Sequence, residues 1–205
     1  MSIVKLNNNA VKNATSFGSV GSGAITFIKK LTASSSSTLS FVDGSSDVVL
    51  DNTYKEYLFT FKNIHSSASN AYLYFNGTDD DSSHSFDVTQ TTTFFRAYNF
   101  ENDGARTLEY EASSDVAQGT NARLASGLET DNDSSLSGYL HLFNPSSTTF
   151  VKHYHATFNN TQYQDYSTNY YVSGYGNTAS AIDAVQFLMS SGNIDAGDIC
   201  LYGIN

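Results

Sequence analysis

Two histidines, His153 and His155, stand two positions apart in an alternating stretch. In an extended strand that spacing puts both imidazoles on one face, where they can reach a common metal ion. His141 falls in a neighbouring strand-like stretch and could supply a third ligand. A simpler reading makes Val151, His153, His155 and Thr157 a polar strand face, with Phe150, Tyr154, Ala156 and Phe158 turned to a core. The simpler reading is preferred, and no metal site is expected.

Glu109 and Glu111 likewise share a strand face, about 7 Å apart. A retaining glycosidase needs its carboxyl pair at about 5–5.5 Å. No third carboxylate follows at the spacing of the sandwich-fold glucanases, and the chain has no Trp to stack on sugar. Asp79, Asp80 and Asp81, and then Asp131 and Asp133, could offer oxygens to calcium. Neither run continues with the Gly and distal Glu of a calcium loop. The glycines of 18–23 lack the order of a phosphate loop and the Lys that follows one. The single cysteine, Cys200, lies between Ile199 and Leu201 and reads as a buried thiol. No Ser-His-Asp arrangement stands out. The expectation is a chain without catalytic residues and without a cofactor.

The elements that must carry these residues are short strands. Of 205 residues, 30 are Ser, 20 Thr and 19 Asn, with 14 Tyr, 14 Phe and one Pro. Aromatic and β-branched residues suit a pleated, half-buried surface, and Ser, Asn and Gly suit the turns between strands. Alternation begins at Ile25, with Phe27, Lys29 and Leu31 expected on the same side. It is clearest at Tyr57, Phe59 and Phe61. Further strands are expected at 71–75, 94–100, 107–112, 139–143, 150–158, 170–175, 184–189 and 199–204. Asn76-Gly77 reads as a turn and 117–135 as a long surface loop. About ten strands with turns between them predict an all-β fold, a jelly-roll-like two-sheet β-sandwich.

Charge is divided unevenly. Lys5, Lys12, Lys29 and Lys30 precede the first acid, Asp43, while the whole chain sums to −10. The expected organisation is an extended N-terminal attachment arm over 1–24, with the sandwich over 25–205. The four lysines are the candidate attachment residues. An excess of acid disfavours a general phosphate-backbone binder, so no nucleic-acid partner is expected. No apolar run approaches the roughly 18 residues of a membrane helix, and the polar start lacks the apolar core of a signal peptide.

Two stretches carry a resemblance. One runs from Phe27 through Lys29, Lys30, Leu31 and the serines 34–37 to Phe41, leading to Asp51-Asn52-Thr53-Tyr54-Lys55-Glu56-Tyr57. The other runs from Val185, Phe187 and Met189 through Gly192, Asn193, Ile194 and Asp195 to Leu201-Tyr202-Gly203-Ile204. Together they resemble the virion structural proteins of marine tailed phages, of the cyanophage and pelagiphage type. That resemblance implies a non-enzymatic β-sandwich located in the virion, often trimeric, with other capsid or tail proteins as partners. It covers both capsid decorations and tail-fibre modules.

Val185, Phe187 and Met189 are expected to form one strand face, with Gly192 in a positive-φ turn. A returning strand through Ile199 and Leu201 would then complete a terminal hairpin. The function expected first is a capsid decoration or cement module held by its N-terminal arm. The alternative is a host-recognition module of a fibre or baseplate, contacting receptor or glycan through Tyr163, Tyr166, Tyr170 and Tyr171. A glycan-cleaving enzyme is the third and weakest reading.

Overall fold

Apolar residues at alternate positions can be buried only if the chain is extended and one face is covered. The computed structural model, which describes residues 24–205, satisfies that demand with strands throughout. In chain order they are β1 (Ile25–Thr32), β2 (Thr38–Val42), β3 (Glu56–Ser66), β4 (Ala71–Thr78), β5 (Gln90–Phe100), β6 (Arg106–Tyr110) and β7 (Ala117–Gly119). Then follow β8 (Ala122–Leu128), β9 (Leu136–Phe143), β10 (Lys152–Gln162), β11 (Tyr166–Gly176), β12 (Ala184–Met189) and β13 (Ile194–Ile204).

These strands form two antiparallel sheets. A nine-stranded sheet runs β1-β13-β3-β9-β10-β11-β5-β6, with β7 also on β5, and a four-stranded sheet runs β2-β12-β4-β8. Strands β1, β2, β3, β4, β8, β9, β12 and β13 alone make the two four-stranded halves of a jelly roll, β1-β13-β3-β9 facing β2-β12-β4-β8. The remaining strands are insertions. β5 to β7 enter between β4 and β8, and β10 with β11 between β9 and β12. All of them extend the long sheet beyond β9, β10 still packing on β4 and β8 of the short one.

The core lies between the sheets and is held by rings. Phe187 sits within 4.9 Å of Phe61, 5.4 Å of Phe59, 5.6 Å of Phe75 and 6.4 Å of Phe41, measured between centroids. The contacts with Phe61, Phe59 and Phe41 are edge-to-face, and such pairs add about 0.5–1.5 kcal/mol each beyond the area they bury.

Several sequence expectations need correction. A bulge between Phe27 and Lys29 breaks the β1 alternation, so Phe27 is exposed while Ile28 and Leu31 pack on the core. Asn76 and Gly77 are not a turn. Both lie buried inside β4, where the Asn76 amide donates to the Phe86 carbonyl and its oxygen accepts from Gln90 Nε2 at 3.1 Å. Phe150 precedes β10 and is exposed, and Lys152 takes the buried position.

The stretch read as a long loop contains β7 and β8. Bulges against β4 and a positive φ at Gly127 erase its alternation, which hides the strand from a period-two reading. Gly192 does have positive φ, but β12 and β13 form no hairpin. β12 lies in the short sheet, and β13 crosses to the long one between β1 and β3.

Candidate functional site

Two surfaces of the inserted strands in the long sheet hold the residues with chemical potential. The first is the outer face, turned away from the short sheet. Strand register places Thr60, Tyr139, Thr157, Tyr171, Phe95 and Tyr110 in one row across it, and Leu58, His141, His155, Ser173 and Thr93 in the next. Tyr139 is 46% exposed, Tyr110 53% and Leu108 70%. Phe95 and Tyr171 stack at 5.0 Å and 14°. On this face β9, β10, β11, β5 and β6 carry no carboxylate, although the molecule as a whole is strongly acidic.

The histidines belong to this face. His155 Nδ1 lies 2.8 Å from Ser173 Oγ, and its ring meets Phe143 at 5.6 Å. His153 faces Tyr175 at 6.0 Å. No group of three or more His, Cys, Asp or Glu among the described residues is arranged to hold a metal ion. In the acidic loop, Asp80 closes a turn. Hydrogen bonds from the hydroxyls and amides of Ser83 and Ser82 hold its carboxyl below the ordinary range. Asp79 accepts from Thr178 Oγ1 at 2.6 Å.

The second surface is on the inner side, where the long sheet runs past β8. There a cleft of about 300 Å³ opens between β8, β5, the residues after β6, and the turn joining β10 to β11. Arg96 from β5 bonds Glu109 Oε1 through Nη2 at 2.9 Å and lies 3.2 Å from Glu111 Oε2. Thus the two glutamates singled out by spacing share one guanidinium. Arg123 from β8 stacks on Tyr72, 3.9 Å from the ring centre, and donates from Nη1 to Ser114 Oγ at 2.8 Å. Arg123 pairs with no carboxylate among the described residues.

Four buried atoms in the walls, Glu111 Oε2, Arg123 Nε, Ser126 Oγ and Gln162 Oε1, have no hydrogen-bond partner, the first being met only by the Arg96 ion pair. Ser126 and Gln162 are each more than nine-tenths buried. Leaving such an atom unpaired costs about 1–3 kcal/mol.

The four candidate tyrosines separate. Tyr163 and Tyr166 line the cleft. Tyr163 is 38% exposed, whereas Tyr166 is buried against Phe100 at 4.5 Å. Burial pushes the Tyr166 hydroxyl up to about 12. Tyr170 lies beneath the cleft floor, donating to the Ser126 carbonyl at 2.6 Å and accepting from Gln162 Nε2 at 2.8 Å. Tyr171 points to the outer face, because neighbours on a strand alternate sides.

The candidate attachment lysines also separate. Lys5 and Lys12 lie outside the described residues. Lys29 and Lys30 belong to β1 rather than to an arm. Lys29 donates to the Ser46 carbonyl at 2.8 Å and Lys30 meets Asp198 at 3.4 Å. The arm reading, where it extends to these two, is corrected by their strand pairing with β13.

Sequence reasoning passed over Arg96, Arg123, Ser126 and Gln162. The available signal was scarcity: only three arginines occur, and two of them meet here from strands far apart in the chain. No protein-family model matches the sequence, and no curated protein or solved structure matches it.

Proposed function

We propose that this chain is a non-enzymatic structural protein of a tailed-phage virion, a surface module whose copies associate through the outer face of the long sheet. A capsid decoration is the specific form put forward. The observation that carries the reading is that β9, β10, β11, β5 and β6 project no carboxylate of their own from that face, Asp115 from the loop after β6 reaching only the Tyr110 hydroxyl at its edge. Copies bearing −10 repel one another, and a wide neutral surface of Tyr, Phe, His, Thr and Ser is where two can meet without burying unpaired charge. The resemblance to marine phage virion proteins supplies the setting and favours a trimer. Arg96 between Glu109 and Glu111 also supports a non-catalytic reading, since each carboxylate is held in an ion pair.

Light scattering during size exclusion tests the association. The wild type is expected at a multiple of 22.3 kDa, three for a trimer, and the double variant Phe95→Asp with Tyr139→Asp at the monomer mass. A wild type that is monomeric at every concentration sinks the self-association. Immunogold labelling of intact particles tests the location. Absence of label on particles that contain the chain by mass spectrometry excludes a surface position.

A further inference from the structure

We infer that the cleft between β8 and the inserted strands is a binding site for a neutral, hydroxyl-rich ligand, a saccharide. Nothing about the association face enters this inference, because the cleft lies on the opposite side of the long sheet.

The walls define the ligand by their hydrogen-bonding character. Guanidinium and carboxylate groups lie side by side, and Asn70, Gln164 and Gln162 add amides. Such a mixture offers donors and acceptors alternately, which matches vicinal hydroxyls, each able to give one hydrogen bond and accept others. Behind the same walls Arg123 Nε, Ser126 Oγ and Gln162 Oε1 are shielded from solvent and have no protein partner, so the polar wall is not closed on itself.

Charge sets the second property. Arg96, Arg123 and Glu111 line the cleft, and Glu109 pairs with Arg96 from outside it, so the charges around the cleft cancel in a molecule of net −10. Beside it, Glu101, Glu129, Asp131, Asp133 and Asp165 gather around a neighbouring acidic hollow. A ligand carrying negative charge meets that field unfavourably, and a neutral one does not.

The third property is a platform. Tyr163 stands at the rim, bordering both the cleft and the acidic hollow, and its ring has no aromatic partner among the described residues. Its backbone N–H is fixed to the Gly127 carbonyl at 3.2 Å, so the turn that presents the ring is tied to β8. A sugar ring laid on this tyrosine would place its hydroxyls against the polar walls.

Saturation-transfer NMR with maltotriose, lactose, cellobiose and methyl α-mannoside, set against 3′-sialyllactose and glucuronic acid, tests the inference on the full chain. Transfer to at least one neutral sugar is expected. Tyr163→Ala should weaken it roughly tenfold, the loss of one aromatic stacking contact. Arg123→Met keeps the stem packed while removing the donors, and should weaken it at least as much. Phe95→Asp, on the far face, should leave binding intact. Silence across the neutral sugars, binding confined to the acidic pair, or wild-type binding by both cleft variants each overturn the inference. If Arg123→Met fails to fold, the exposed Tyr163→Ala decides alone. Loss of sugar binding with unchanged oligomer mass separates this failure from any failure of the association.

Discussion

Single residues in this protein are governed by what surrounds their charge. Burial, and then the neighbouring carboxylates of Asp81, Asp43 and Asp79, push the Asp183 carboxyl above its ordinary value. A raised folded-state value means that the proton binds more tightly in the folded chain. The resulting penalty is absent below the ordinary carboxylate pKa and fully present once pH exceeds the raised one. Asp183→Asn imitates the protonated form and should raise the melting temperature at pH 7 by about one degree. The figure is small because the partly exposed side chain is screened by solvent. At about pH 3 the advantage should vanish. Calorimetry at both pH values checks this, and an equal gain at both removes the electrostatic cause. Glu109 and Glu111 teach a similar lesson. Their spacing on β6 and just beyond it was legible, but the cation between them was not, since Arg96 arrives from the neighbouring strand.

At the scale of elements, strands bounded by large alternating residues were legible and strands of small residues were not. Val185, Phe187 and Met189 mark β12 at its observed bounds, because each buries a large side chain beside polar or intermediate neighbours. β8 buries Ala122, Leu124 and Ala125, whose sizes leave no periodic signal. Pairing was less legible than strand position. β12 and β13 are adjacent in sequence, yet a jelly roll assigns them to different sheets.

Close strand approach adds a demand that only the assembled sheet shows. Gly138 in β9 lies against β10 so tightly that a β-carbon would strike the Thr157 carbonyl and the Phe158 backbone. Gly138→Ala must therefore push β9 and β10 apart and should cost about 1–3 kcal/mol, the range of overpacking. Urea unfolding measures it, and a midpoint unchanged from wild type would show that the sheet yields freely.

For the whole molecule the governing quantity is the distribution of charge. All twenty acids lie beyond residue 42, and none of them projects outward from the inserted strands, Asp115 touching that face only at Tyr110. The association proposed for that face would oppose a long-range repulsion, so salt should strengthen it. The screening length falls from about 10 Å at about 0.1 M to about 3 Å at about 1 M. The oligomer fraction by light scattering should rise over that interval. A fall would mean that ion pairs, rather than neutral contacts, hold the copies together. The composition made the sandwich legible. The cleft was not, because its residues come from β5, β8 and the end of β10, which only the insertions bring into register.

The placement of β13 has a kinetic consequence. Ile25 pairs with Ile204, so β1 finds its sheet neighbour across nearly the whole described chain, and β3 relies on the same distant strand. Hairpins such as β10 with β11 can zip locally on a microsecond scale, but closing this seam is a search through long loops. Folding should be slow and should finish here, so until β13 docks, two strand edges stand open to pairing with the wrong chain.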